Sequence, residues 1–175
     1  MVLELKLPHD ASAAALLERW PIFLSYVLSF LLVAIMWVNH HHILHSAHHV
    51  NAGLLWANIH LLFWMSLIPF VTAYMGDTHG SPLSVALYGG VLALASTAFA
   101  ILRSVLIKQH PNNADITTHH RRVQRKNLLS SLTYASSVPL AFVWIWASLA
   151  IFVVIPLLYF LPEARLDKAT DQKRD

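Results

Sequence analysis

Four long stretches of this chain carry no Asp, Glu, Lys or Arg, and short polar breaks separate them. Residues 21–39 form a run of 19. In residues 52–75 the ionisable groups are His60 and Tyr74, and the run over residues 81–102 ends at Arg103. Each is long enough to cross a hydrocarbon core of about 30 Å as a helix. The fourth run, residues 127–161, is 35 residues long. As one straight helix it would extend about 52 Å, too far for a single crossing. The pattern therefore predicts two short spans, residues 128–142 and 146–161. Pro139 bends the first of these, and a turn lies near residues 143–147. The expected fold is an all-α, multi-pass transmembrane helical bundle with five spans.

Composition agrees with that reading. Charged residues are 12% of the chain, hydrophobic residues 57%, and mean hydropathy is +0.54. A water-soluble domain is nearer a quarter charged. With no cysteine, disulfides, thiolate metal sites and a cysteine nucleophile are excluded. The formal net charge is +3, and the 12 histidines need an account of their own.

Aromatic residues mark the predicted boundaries. Trp20 and Trp37 bracket the first run, Trp56 and Tyr74 lie near the ends of the second, Trp144 and Trp146 flank the turn, and Tyr159 lies near the last exit. Such side chains suit the headgroup level, where an apolar ring and a polar tip are both satisfied. Basic residues set the orientation. Arg103, Lys108, Arg121, Arg122, Arg125 and Lys126 share one face with Arg165, Lys168, Lys173 and Arg174, while Lys6 and Arg19 lie on the other. This places the C-terminus in the cytoplasm. The segment from Met1 to Leu7 resembles the last turn of an apolar helix stopped by Pro8. Five spans put the termini on opposite sides of the membrane, so the expectation is that most of a preceding helix is missing. The run over residues 81–102 carries small residues four apart, Ala86/Gly90, Gly89/Ala93 and Ser96/Ala100. These suit close helix packing in lipid.

The segment from Asn39 to His49 is dense in histidine. On a helix, His41, His45 and His48 fall on one face, as do His42, His45 and His49. Imidazoles so arranged can bind zinc, copper or nickel, although no nearby carboxylate or thiol completes a site. The other reading has neutral imidazoles, each both donor and acceptor, hydrogen-bonding neighbouring helices. His60 lies within a span, where an ionisable residue is a functional candidate. It reads as a neutral hydrogen-bonded group, and no haem or other cofactor is expected. The run from His119 to Lys126 precedes an uncharged span, so it reads as a stop to translocation and an anionic-headgroup contact. No nucleic-acid partner is expected. No nucleotide-binding, nucleophile-elbow or zinc-protease motif occurs, no TVGYG filter is present, and no enzyme is expected.

Several stretches together are more specific: Trp20-Pro-Ile-Phe-Leu-Ser-Tyr-Val-Leu-Ser-Phe30, Trp37-Val-Asn-His-His-His42, Leu54-Leu-Trp-Ala-Asn58, Ser66-Leu-Ile-Pro-Phe70 followed by Thr72-Ala73, and Tyr134 through Pro162. In order and spacing they resemble the bacterial members of the transmembrane protein 175 family, potassium channels that lack carbonyl filter loops. The resemblance implies a six-helix subunit in a homotetramer, with a first helix whose apolar side chains form the pore constriction. It also implies an inter-helix polar network. An Arg-x-x-x-Phe-Ser-Asp signature on the first helix would be tied there to Trp37, Asn39, His40, His41 and Asn58. The chain contains no Phe-Ser-Asp, so pore-lining residues are not assigned.

The reading is a channel-type domain over residues 1–162 with a truncated first helix, followed by a cytoplasmic polar tail over residues 163–175. The full-length product is expected to be a potassium-permeable channel of the bacterial inner membrane, with potassium ions and the lipid bilayer as its partners. The chain alone is expected not to conduct. Two alternatives stay open: a His-rich metal-binding or metal-transport membrane protein, and a structural membrane protein without transport activity.

Overall fold

The computed structural model describes residues 20–45, 47, 49–109 and 114–157. Five helices lie among them: α1 (Trp20–His45), α2 (Ala52–Asp77), α3 (Pro82–Gln109), α4 (Ala114–Val143) and α5 (Ile145–Leu157). Every described element is helical, as expected for a chain whose backbone must satisfy its own hydrogen bonds in lipid. Stretches at 26–45, 52–77 and 82–108 are each long and apolar enough to cross a membrane. The expectations for residues 1–7, 158–161 and 163–175 lie outside the described residues.

The long uncharged run does divide where a turn was expected. Helix α4 ends at Val143, Trp144 is non-helical, and α5 begins at Ile145. Ser148 Oγ donates to the Ser137 carbonyl at 2.9 Å across this hairpin. The described α5 is only about 20 Å long at 1.5 Å per residue, shorter than a hydrocarbon core. Helices α1 and α3 outrun the charge-free stretches, continuing past Asn39 to His45 and past Leu102 to Gln109. A polar or charged residue ends an oily run without ending a helix, since His and Arg both accept helical geometry.

Local signals explain the turns. Asn51 caps α2, its side chain accepting from the Leu54 amide at 2.8 Å. After α2 the chain reverses through His79 (φ 50°) and Gly80 (φ 70°), and the Gly80 amide returns to the Met75 carbonyl at 2.8 Å. Glycine adopts that left-handed conformation without a Cβ penalty.

Helix α3 is the centre of the bundle, packed chiefly on α4 and α2. Three apolar layers follow its length. Ala98, Leu102 and Leu106 meet Ile43 of α1 and Leu61 of α2. Tyr88 and Leu92 meet Ile68 of α2, Tyr134 of α4 and Ile155 of α5. Val85 and Ala86 meet Ala141. Polar cross-links lie between the layers, with Thr97 and Ser131 hydroxyls 2.6 Å apart and Ser131 also donating to the Ala93 carbonyl at 3.1 Å.

The two adjacent glycines of α3 differ in surroundings. A Cβ at Gly89 would collide with Ser137 Oγ and come within 3.3 Å of Phe152, whereas one at Gly90 meets nothing within 4 Å. Gly89→Ala should therefore destabilise the bundle by about 1–3 kcal/mol through overpacking. Gly90→Ala should be neutral or stabilising by up to about 1 kcal/mol through helix propensity. Unfolding of both variants in mixed detergent micelles checks this; equal effects would contradict the close α3–α4 approach.

Candidate functional site

The polar residues expected to act together divide among three places near one end of the bundle. His40 is buried on α1, and its Nε2 hydrogen-bonds Asn58 Oδ1 of α2. Because that oxygen accepts, His40 carries a proton on Nε2, a role open to a neutral imidazole. Trp37 and His41 lie on a different face, both exposed, with ring centroids 5.5 Å apart and planes 18° from parallel. Asn39 faces a third direction, into a cavity shared with α3 and α4. Consecutive residues on a helix point about 100° apart. Asn39, His40 and His41 thus serve three surroundings, and within the expected set a side-chain hydrogen bond joins His40 to Asn58.

The alternative reading, metal binding by the histidines, finds no support among the described residues. Helix α1 ends at His45, so His49 leaves the face that His42 and His45 occupy, and His48 lies outside the described residues. His41 is stacked on Trp37 instead. Among the described residues no group of three His or carboxylate side chains is placed to hold a metal. His60 is exposed on α2, and its Nε2 accepts from Trp64 Nε1 at 2.9 Å. That bond occupies the nitrogen lone pair and fits the neutral, hydrogen-bonded reading.

Sequence reasoning missed the cavity that Asn39 enters. Its volume is about 80 Å³, and Ser96 and Arg103 of α3 and Asn127 and Tyr134 of α4 share its lining. Arg103 and Asn127 are 8% and 7% exposed, so a cation and a carboxamide are held deep between helices. In the sequence Arg103 ends a charge-free run and counts among the basic residues of one face. Its spacing from Ser96 and Phe99, seven and four residues, already places it on their helical face.

Exposed apolar residues cover much of α1 and α2, among them Phe23, Phe30, Trp37, Trp56, Phe63 and Phe70. Trp144 and Trp146 are exposed at the α4–α5 turn, opposite the basic end. This is the distribution of side chains that meet lipid, headgroups or another subunit.

The His40–Asn58 bond should couple α1 to α2. A double-mutant cycle with His40→Ala and Asn58→Ala should give a coupling of about 0.6–1.7 kcal/mol by unfolding in detergent. His41→Ala should change stability by under about 0.5 kcal/mol. Zero coupling would contradict the pairing.

The family model for the endosomal/lysosomal potassium channel TMEM175 matches residues 1–69. A potassium channel of Chryseobacterium sp. is 35% identical over 170 residues, 97% of this chain and 88% of that protein. One from Streptomyces collinus is 30% identical over 169 residues, covering 91% and 82% of the two chains. One from Chamaesiphon minutus is 23% identical over 176 residues, covering 92% and 85%. No solved structure gives a significant match. With an all-helical, membrane-spanning bundle and relatives alike over nearly its whole length, the chain belongs to the TMEM175 potassium channel family.

Proposed function

We propose that the protein is a potassium-permeable channel subunit that works as a homotetramer, passing ions through a pore with an apolar constriction. The observation that carries this is 35% identity to a relative named a potassium channel, over 97% of the chain. By the family resemblance, the pore wall belongs to the first helix, and α1–α5 form the scaffold that surrounds it. The weak burial of α1 supports assembly. In its apolar window 17% of residues are buried, against 67% for α3, so α1 offers a broad surface to further protein or lipid. An apolar constriction discriminates by how much hydration an ion must shed on entering. The polar pairing of His40 with Asn58 would hold the scaffold helices at one end of that wall.

We further propose the bacterial inner membrane as the location, with the segment over residues 163–175 in the cytoplasm. The run of basic residues from Arg103 to Lys126 and the four in the tail support this orientation.

Two experiments test these readings. Potassium flux is measured into liposomes holding this chain, and into liposomes holding it fused to an upstream apolar segment with Arg-x-x-x-Phe-Ser-Asp. Flux above empty liposomes is expected in at least one preparation; background flux in both would overturn the channel reading. Because the chain has no cysteine, Lys168→Cys gives a single label site. An impermeant thiol reagent should label it in inverted membrane vesicles and not in intact cells, and the opposite pattern would reverse the orientation.

A further inference from the structure

His60 presents an unused hydrogen-bond donor on the outward side of a membrane span. It lies eight residues after Ala52, the start of α2, and so about 12 Å along that helix. The surrounding stretch is long and apolar enough to cross the membrane. Trp64 Nε1 donates to His60 Nε2 at 2.9 Å, so the hydrogen of the neutral ring sits on Nδ1. That hydrogen meets no acceptor among the described residues. The exposed hydroxyls of Ser66, Thr133 and Ser136 escape the same cost by donating to carbonyls of their own helices. His60 is exposed, and hydrocarbon offers it no acceptor.

His41 of α1 supplies a matching acceptor. Its ring is exposed and stacked on Trp37, and neither nitrogen hydrogen-bonds another described residue. A neutral imidazole always keeps one nitrogen lone pair. The His40–Asn58 bond, with Ile43 packed near Leu54, sets the antiparallel α1 and α2 in register. From that bond His60 lies two residues, about 3 Å, deeper along α2, and Trp37 three residues, about 4.5 Å, deeper along α1. Helical side chains lean toward the N-terminus of their own helix. The His41 ring therefore leans inward to Trp37, and the His60 ring leans back to the same level. Within one subunit the two imidazoles cannot meet. Asn58 faces α1, and His60, two residues on, points about 200° away from it.

We propose that α2 of one subunit docks on α1 of a second copy of this chain, with His60 Nδ1–H donating to the His41 imidazole. This rests on the homo-oligomeric subunit proposed above and specifies which faces meet. Trp37 and Phe63, both exposed, add apolar area beside the bond. Because the two faces differ, the contact is heterologous. It repeats from copy to copy and can close a ring around a central pathway.

The chain has no cysteine, so introduced pairs read the contact directly. Ala34 lies on the helical face of Trp37 and His41, and Phe63 on that of His60. The full chain carrying Ala34→Cys and Phe63→Cys is oxidised with copper phenanthroline in membranes of the expressing cells. It should give a ladder of dimer and higher disulfide-linked species on a denaturing gel. Each single variant should run as monomer, and so should Ala34→Cys combined with Leu132→Cys on the exposed side of α4. In native mass spectra, His60→Leu should weaken association about threefold to twentyfold per contact. His41→Leu should do the same, and the two together no more than either alone. A ladder of equal yield from a single variant or from the α4 pair would overturn the heterologous contact. Association unchanged in His60→Leu would overturn the bond. Oligomers in the mass spectra without a ladder would overturn this contact and leave the homo-oligomer standing. A chain that is monomeric in both measurements would remove the homo-oligomer and this contact with it.

Discussion

Inside hydrocarbon, a hydroxyl or amide that finds no partner costs several kcal/mol, because no water is at hand to replace one. The polar atoms of this bundle are arranged under that constraint. Ser29, Ser66, Ser136 and Ser137 donate to carbonyls three residues back on their own helices, and Thr72, Thr97, Ser104 and Thr133 to carbonyls four residues back. Such bonds let a helix carry hydroxyls through lipid without a neighbour. Where the same groups also reach across, as Thr97 does to Ser131 and Gln124 does to Ser104 at 2.7 Å, they fix the register of α3 against α4. Polar satisfaction and helix packing are therefore one arrangement, centred on α3.

That centre explains how the other helices are used. Small residues on α3 bring α4 and α5 close, with Gly89 against Ser137 and Phe152 and Ala86 in the layer with Ala141. Helix α1 is attached mainly at its C-terminal end and middle by Ile43, Met36 and Val33, leaving its remaining faces outward. A scaffold with one firmly held helix and one lightly held helix suits an assembly in which the latter meets the pore wall or a neighbouring subunit. The family relationship gives that geometry its functional sense.

Much of this fold was legible in the sequence because charge-free length maps directly onto membrane spans. The break of the 35-residue run at Trp144 follows from length alone, with a straight helix overshooting the bilayer. Helix ends were less legible. Hydropathy reports which residues tolerate lipid, and α1 and α3 continue through His40–His45 and Arg103–Gln109 because those residues remain good enough helix formers. The surroundings of the polar residues on α1 follow from helix geometry: neighbouring positions face different ways, so Asn39 lines the cavity with Arg103 and Asn127 while His40 reaches Asn58. Reading Arg103 as a terminator hid the buried charge that the extended helix carries inward.

A member of a potassium channel family must provide a cation pathway. Its most direct test is the reversal potential of currents from the reconstituted channel in a planar bilayer under a KCl gradient. A potassium pathway predicts reversal near the potassium equilibrium potential, shifting with potassium on either side. Reversal near the chloride potential would contradict the account.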